Sequence, residues 1–415
     1  LAIMATLVAL ALNALAFSGS ATAGRRASAL GRSATGSSRI VAIAAEPGRR
    51  ELLATGSAAL AVSLLASPSP ASAGLFGGSA KKSAWTQVDI PVDSILFDVE
   101  FDTNQPEHGW IVGNKGTFLE TKDGGKRWEQ KAFANLDTED EINYRFTKVS
   151  FKDGEGWVIG KPSILLHTKD GGTSWERIPL SPKLPGEPVS ITALGNGKAE
   201  MCTSQGAIYY TESSGRNWAA QVQETIEATL NRVSSSGVQG ASYFAGAITN
   251  VVRNAAGEYL AISSRGNFFL TWQPGSEFWI PHNRATSKRI SNMGFVSDKL
   301  KDGGLWMATN AGGLALLDGA ADLSQVQLTF SDLKINSAGF GILDVGFKSP
   351  TEVYAIGGAG LLLGSEDAGK TWTRDVEADN IPSNFYKVKF FKDKGFILGS
   401  QGVLLRYTGT GAGGK

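Results

Sequence analysis

The chain contains 415 residues, of which 42% are hydrophobic, 51 are glycine and 14 are proline. This composition is typical of a β-rich protein with many tight turns and enough apolar residues for a large core. Without the six arginines and two glutamates of residues 1–73, the 40 basic and 39 acidic residues become 34 and 37. The slightly acidic remainder argues against nucleic acid as a partner, and a single cysteine, Cys202, excludes an intrachain disulfide.

Residues 1–73 have the pattern of three consecutive targeting signals. An apolar stretch with an A-x-A pattern at residues 14–16 is typical of a secretory signal peptide. Residues 17–45 are rich in Ser, Ala and Arg and contain no acidic residue, as in plastid transit peptides. Arg49-Arg50 and a second apolar run then form the pattern of a twin-arginine signal, and that run is too short for a membrane anchor. We therefore expect delivery to the thylakoid lumen of a complex plastid.

A nine-residue turn recurs along the rest of the chain, at residues 121–129 and 168–176, in a shorter form at 365–372 and more weakly at 211–218. Its Asp accepts hydrogen bonds from backbone N–H groups further on, its Gly supplies a positive φ, and its Trp enters the next strand. Turn chemistry therefore explains these acids better than catalysis does. The predicted structural residues are Asp123, Gly125, Trp128, Asp170, Gly172, Trp175, Asp367, Gly369 and Trp372.

Small-residue turns between a second and a third strand give a count of the repeats. They lie 42 to 60 residues apart, which is the length of a four-stranded propeller blade. The seven turns are at Gly116, Ser163, Gly206, Gly266, Gly312, Gly360 and Gly402. This spacing predicts an all-β fold, a seven-bladed β-propeller with Asp-box-like turns over residues 83–407. Residues 74–82 would form a flexible linker and 408–415 a flexible, Gly-rich tail.

Three further features refine this prediction. The last repeat lacks a fourth strand, and residues 83–88 are expected to supply it and so close the ring. Apolar residues at helical spacing predict a short helix between blades 3 and 4, at Val222, Ile226, Leu230 and Val233. One position of the innermost strands alternates in charge around blades 6, 7, 1 and 2, and we expect ion pairs between blades there, at Asp344, Lys387, Asp98 and Lys148.

Propeller topology places several cations on one face, where blades are connected and where second strands turn into third strands. Arginine there could bind a carboxylate through its planar, two-pronged side chain. The residues predicted to form such a patch are Arg145, Arg232, Arg265, Arg284 and Arg289, with Lys115 beside them. Pairing with acids on the same face is an equally weighted alternative, through Asp137, Glu139, Asp140 and Glu141.

Enzymatic signals are weak. The three histidines, His108, His167 and His282, lack the spacing of metal ligands, so no metal site is predicted. The chain has no nucleophile elbow and no phosphate-binding glycine loop. The Asp/Gly turns are nevertheless similar to those of sialidases. Asp98 and Asp344 are conceivable catalytic carboxylates, so a sialidase-type glycoside hydrolase or a carbohydrate-binding propeller stays open as an alternative.

Residues 83–407 resemble the photosystem II stability/assembly factor family. The resemblance rests on the Gly-Trp-x-x-Gly strands at residues 109–113 and 156–160 and on the stretches at 227–233, 263–269 and 288–295. It implies a lumenal, non-enzymatic propeller without a cofactor. Such a protein would bind the newly made precursor of a reaction-centre core subunit and act on early assembly intermediates at the thylakoid membrane surface. The arginine patch of the family maps by motif onto Arg145, Arg232, Arg265 and Arg289, with Arg216 and Arg253 as outside candidates.

Overall fold

In a computed structural model of the protein, residues 83–133, 144–232, 238–241 and 246–409 are described. Their strands form seven four-stranded antiparallel sheets, six of which are composed of consecutive strands, while the seventh combines the first described strand with the last three. The predicted all-β, seven-bladed propeller is therefore confirmed. The predicted targeting region, linker and most of the tail lie outside the described residues.

In blades 1 to 6 the strands run in chain order from the innermost to the outermost. Blade 1 consists of β2 (Leu96–Phe101), β3 (Gly109–Gly113), β4 (Phe118–Thr121) and β5 (Glu129–Gln130), and blade 2 of β6 (Arg145–Lys152), β7 (Glu155–Lys161), β8 (Ile164–Thr168) and β9 (Glu176–Arg177). Blade 3 consists of β10 (Pro188–Gly195), β11 (Lys198–Thr203), β12 (Ile208–Thr211) and β13 (Ala219–Ala220), and blade 4 of β14 (Ile248–Arg253), β15 (Tyr259–Ser263), β16 (Phe268–Trp272) and β17 (Ile280–Asn283).

The remaining three blades repeat this plan. Blade 5 consists of β18 (Ile290–Phe295), β19 (Leu305–Thr309), β20 (Leu314–Leu317) and β21 (Ser331–Asp332), and blade 6 of β22 (Ile342–Phe347), β23 (Val353–Gly357), β24 (Leu362–Ser365) and β25 (Thr373–Arg374). Blade 7 contains β26 (Phe385–Phe391), β27 (Lys394–Gly399) and β28 (Leu404–Tyr407), and its outermost strand is β1 (Trp85–Val88).

The ring is closed by the two ends of the described chain, as predicted. Strand β1 pairs antiparallel with β28, from Trp85 opposite Tyr407 to Val88 opposite Leu404. Thr408 extends the pairing, because its backbone N–H donates to the carbonyl oxygen of Ala84 at 2.8 Å. Strand β1 therefore covers the edge of β28 and completes the four strands of blade 7.

The recurring Asp/Gly turns join neighbouring blades as well as neighbouring strands. In blade 2, Asp170 accepts from the backbone N–H of Ser174 at 2.8 Å, and the Trp175 indole N–H donates to the carbonyl oxygen of Gly172 at 3.1 Å. Gly172 has a φ of +84°, and a Cβ there would lie 2.9 Å from the indole nitrogen of Trp110 in blade 1. Each such turn is therefore a packing surface for the preceding blade, and a glycine is required where the two meet.

One short helix, α1 (Ile226–Arg232), lies between blades 3 and 4, where the sequence predicts it. Its apolar side joins the core of blade 4, because Val222, Ile226 and Leu230 pack in one buried cluster with Trp279. The backbone N–H of Ile226 donates to the carbonyl oxygen of Gln205 at 3.0 Å, which fixes the start of the helix on blade 3. Within the described residues, no helix combines the length and the apolar character needed to cross a bilayer.

Candidate binding face

The strand register shows which residues share a face of the ring. In blade 4, Ile248 lies opposite Ser263 and Arg253 lies opposite Tyr259, so the two ends of β14 lie at opposite faces. The beginning of each innermost strand therefore shares a face with the loop between the second and third strands. We call this the connection face. The Asp/Gly turns lie on the other side, which we call the Asp-box face; there, for example, the backbone N–H of Gly171 donates to the carbonyl oxygen of Gly154 at 2.9 Å.

Arg265 and Arg289 come together on the connection face, where blade 4 meets blade 5. The backbone N–H of Ile290 donates to the carbonyl oxygen of Gly266 at 3.0 Å, so the residues that follow the two arginines are joined directly. Gly266 has a φ of +63°, and a Cβ there would lie 2.2 Å from the Ile290 carbonyl oxygen. Both arginines are exposed. Among the described residues, no carboxylate lies within ion-pairing distance of either guanidinium group.

Arg284 uses its guanidinium group to connect the two loops that carry Arg265 and Arg289. Its guanidinium group donates to the carbonyl oxygens of Thr286 at 2.8 Å and Ser287 at 3.1 Å, and to the side-chain oxygen of Asn267 at 3.3 Å. These bonds connect the segment before Arg289 to the loop that carries Arg265. Arg284 is therefore a positioning residue for the two exposed arginines.

A second pair of cations, Lys115 and Arg145, lies on the same face where blade 1 meets blade 2. The backbone N–H of Gly116 donates to the carbonyl oxygen of Tyr144 at 2.6 Å, which brings the two cationic residues side by side in the same way. The Arg145 guanidinium lies 5.7 Å from the ring centre of Phe97 and donates to Asn114 at 3.4 Å. We call Lys115 with Arg145, and Arg265 with Arg289, the two cationic dyads.

Two of the other predicted arginines, Arg216 and Arg253, do not join these dyads. Arg216 lies in the turn of blade 3 on the Asp-box face, and Arg253 lies at the far end of β14, where it pairs with Glu200 at 2.6 Å. Helix α1 ends at Arg232, whose side chain lies outside the described residues, as do the four acids that formed the alternative. At the junction of blades 2 and 3, Lys161 pairs with Glu187 at 2.9 Å, so that cation is already neutralised.

Sequence reasoning missed one apolar residue of the connection face. Phe340, in the connection from blade 5 to blade 6, is a large apolar side chain that is 37% exposed. Its backbone N–H donates to the carbonyl oxygen of Ser337 at 2.9 Å, within a local turn. No periodic pattern marks this residue, because loop residues follow none.

The innermost strands form the predicted charged ring only in part. Lys387 pairs with Asp344 at 3.1 Å across blades 7 and 6, as expected. Lys389 instead of Lys148 is the neighbour of Asp98, at 3.7 Å, and it also pairs with Glu100 at 2.9 Å. Burial opposes ionisation of Asp98, but Lys389 and the other lysines, with a hydrogen bond from Val149, hold its pKa below the ordinary value. These contacts give Asp98 and Asp344 structural partners.

The histidines are likewise engaged inside the blades. His108 contacts Glu120 at 2.6 Å in blade 1, and His167 contacts Glu155 at 2.7 Å in blade 2. His282 contacts the Thr271 hydroxyl at 2.8 Å. Across the described part of the chain, no group of three or more His, Cys, Asp or Glu side chains could hold a metal ion.

Comparison with known proteins identifies the family. The model of the photosynthesis system II assembly factor YCF48 family matches residues 78–408. The chain belongs to this family. A photosystem II stability/assembly factor of Guillardia theta, HCF136, is 55% identical over 330 residues, which cover 79% of this chain and 83% of the relative. The HCF136 protein of Arabidopsis thaliana is 49% identical and covers 87% of both chains. These family members are named as assembly or stability factors and not as enzymes, which supports the expected non-enzymatic role.

Solved structures of the family have the same fold. YCF48 from Cyanidioschyzon merolae is 50% identical, with a TM-score of 0.73 over 78% of this chain and 98% of that one. YCF48 bound to a D1 peptide is 44% identical, with a TM-score of 0.66 over 78% of this chain and 97% of that one. A xyloglucanase of Xanthomonas campestris also aligns, at 15% identity and a TM-score of 0.55, which reflects the propeller fold alone. The glycosidase alternative is therefore not favoured.

Proposed function

We propose that this photosystem II assembly factor binds an extended, acidic segment of the D1 reaction-centre subunit across its connection face. The observation that carries the proposal is the pair of cationic dyads. A family member is known bound to a D1 peptide, and the dyads supply positive charge that can pair with the carboxylates of an acidic segment. We further propose that the protein acts in the thylakoid lumen, on early assembly intermediates at the membrane surface, as the signals in residues 1–73 suggest.

Both dyads suit recognition of carboxylates. Arginine presents parallel N–H groups that match the two oxygens of a carboxylate. Arg265 and Arg289 are exposed and make no ion pair with a described residue, so a client carboxylate would not have to displace an internal partner. Their backbones are fixed by the hydrogen bond between Ile290 and Gly266, which lowers the ordering cost of binding.

The positions of the dyads constrain how the client lies. One dyad is at the junction of blades 1 and 2 and the other at the junction of blades 4 and 5, which is three blades further around the ring. In a seven-bladed ring this separation is roughly 150° about the central axis. A segment that contacts both dyads must therefore cross the mouth of the central channel, and an extended chain can do so because it needs only side-chain contacts at its two ends.

Binding of a fluorescent D1 peptide by anisotropy tests the proposal. The variants are Arg265→Ala with Arg289→Ala, and Lys115→Ala with Arg145→Ala. Arg216→Ala is the matched control, since Arg216 is an exposed arginine of the Asp-box face. Removing one dyad should weaken binding by roughly tenfold, because each exposed contact to a carboxylate contributes about 0.5 to 1 kcal/mol.

The control variant should bind as the unchanged protein does. All variants should keep the same thermal unfolding midpoint within about 2 °C, because exposed side chains contribute little to stability. Equal affinity in the dyad variants and the unchanged protein would refute the assignment of the connection face.

A further inference from the structure

The centre of the ring contains a charged cavity that the proposed function does not use. Its volume is about 280 Å³, and the innermost strands of blades 1, 2, 3, 4 and 7 contribute to its wall. Four cations line the cavity, against the two carboxylates of Asp98 and Glu100. The cations are Lys148, Arg253, Lys387 and Lys389.

Three of the four cations have a carboxylate partner. Lys389 pairs with Glu100 at 2.9 Å, Lys387 with Asp344 at 3.1 Å and Arg253 with Glu200 at 2.6 Å. Lys148 differs, because none of the described carboxylates lies within 4 Å of its ammonium group and no described group forms a hydrogen bond with it. An ammonium group that is half removed from water without a partner is costly. Burial and the neighbouring lysines accordingly lower the pKa of Lys148, although Asp98 raises it.

Neutral hydrogen-bond donors line the cavity beside Lys148. Ser190 and Thr192 lie on β10, next to the strand of Lys148, and their hydroxyl groups have no hydrogen-bond partner among the described residues. The neighbouring hydroxyl of Ser150, in contrast, accepts from the backbone N–H of Ala193 at 2.9 Å. One cation and two hydroxyl groups that have no partner among the described residues are thus gathered in one cavity.

We infer that this cavity binds a small, singly charged oxyanion of the carboxylate or nitrate type between Lys148 and the hydroxyl groups of Ser190 and Thr192. The ammonium group supplies the charge and the hydroxyl groups donate to the oxygens. A doubly charged anion is disfavoured, because the other three cations are already paired with carboxylates and Lys148 supplies a single positive charge. The volume of about 280 Å³ admits a formate, an acetate or a nitrate ion with accompanying water.

Saturation-transfer NMR on formate, added to the full protein, measures this binding directly. The unchanged protein should give a saturable signal that nitrate displaces and sulfate does not. Lys148→Met should reduce the affinity for formate by at least tenfold, and Ser190→Ala by about threefold, which keeps the test available if one variant does not fold. Lys334→Met is the control, because Lys334 is exposed on the outer part of the ring and should leave the signal unchanged.

A D1 peptide added in competition separates two sources of the same chemistry. Displacement of formate would assign the site to a client carboxylate, and lack of displacement would assign it to a free anion; both results support the site. No saturable formate signal in the unchanged protein, or an equal signal in Lys148→Met and Lys334→Met, would overturn it.

Discussion

The closing strand of the ring can be tested by one substitution, Trp85→Ala. Trp85 is only 5% exposed, and its indole ring packs against three aromatic rings of blades 6 and 7. The ring centres of Tyr354, Tyr407 and Phe390 lie at 5.2, 5.4 and 5.7 Å. Its indole N–H has no hydrogen-bond partner among the described residues, so the loss is one of packing alone.

Replacing a buried tryptophan by alanine costs about 3 to 5 kcal/mol. We expect a loss near 3 kcal/mol, since the strand lies at the outer edge of its blade and can relax after the substitution. Urea unfolding followed by far-UV circular dichroism measures the loss without depending on tryptophan fluorescence. Thr86→Ala is the control, because Thr86 is exposed on the same strand and should change stability by less than about 0.5 kcal/mol. If the two variants unfold at the same urea concentration, the closing strand does not stabilise the ring as we argue.

Two further predictions concern the Asp/Gly turns. Gly172→Ala should destabilise the protein by about 2 kcal/mol or more, because its Cβ would approach Trp110 to 2.9 Å. Gly171→Ala should cost about 1 kcal/mol, since Gly171 has a similar positive φ but a Cβ there would meet no atom of the described residues within 4 Å. Thermal unfolding of both variants checks this, and equal losses would contradict it. Burial raises the pKa of Asp123, but the hydrogen bonds that it accepts, chiefly from Arg127, together outweigh burial and lower the pKa to about 2. Hydrogen bonds from Thr371 and Ser365 likewise lower the pKa of Asp367 to about 2. Their ionised forms favour the folded state, so their contribution to stability should be complete above about pH 4 and lost as the pH falls towards 2. Replacing both by asparagine should make the melting temperature depend less on pH between about pH 4 and pH 2. An unchanged pH dependence of the melting temperature would contradict this.

The fold could be predicted because its determinants are local. The Asp/Gly turn is specified by residues adjacent in sequence, and its repetition gives the number of blades. Even the closing strand could be predicted. The last repeat lacks its fourth strand and an extra strand precedes blade 1, so pairing the extra strand with the last repeat completes every blade.

The binding face could be predicted only in part, because it depends on contacts between loops that are distant in sequence. Topology placed Arg265 and Arg289 on one face, but the hydrogen bond between Ile290 and Gly266 that joins them is tertiary. The pairing of Arg253 with Glu200 could not be predicted from the sequence either, since 53 residues separate them.

The charged ring shows a second limit of sequence reasoning. The alternation predicted ion pairs among Asp344, Lys387, Asp98 and Lys148, yet Asp98 pairs with Lys389, at 3.7 Å. Lys389 lies two residues beyond Lys387 on β26 and therefore points to the same side of that strand. Lys389 contacts blade 1 from blade 7, whereas Lys148 lies on blade 2, on the other side of blade 1. A pattern within one repeat cannot show which of the two neighbouring blades supplies the lysine.

The central claim is that a D1 segment lies on the connection face, and cross-linking through native lysines tests it most directly. A lysine-reactive cross-linker on the D1 peptide, followed by mass spectrometry, reports which face is within reach. Lys115 and Lys288 are exposed on the connection face, and Lys126 and Lys169 are exposed on the Asp-box face. We expect cross-links to Lys115 and Lys288, which should disappear when unlabelled peptide competes. Cross-links confined to Lys126 and Lys169 would contradict the account.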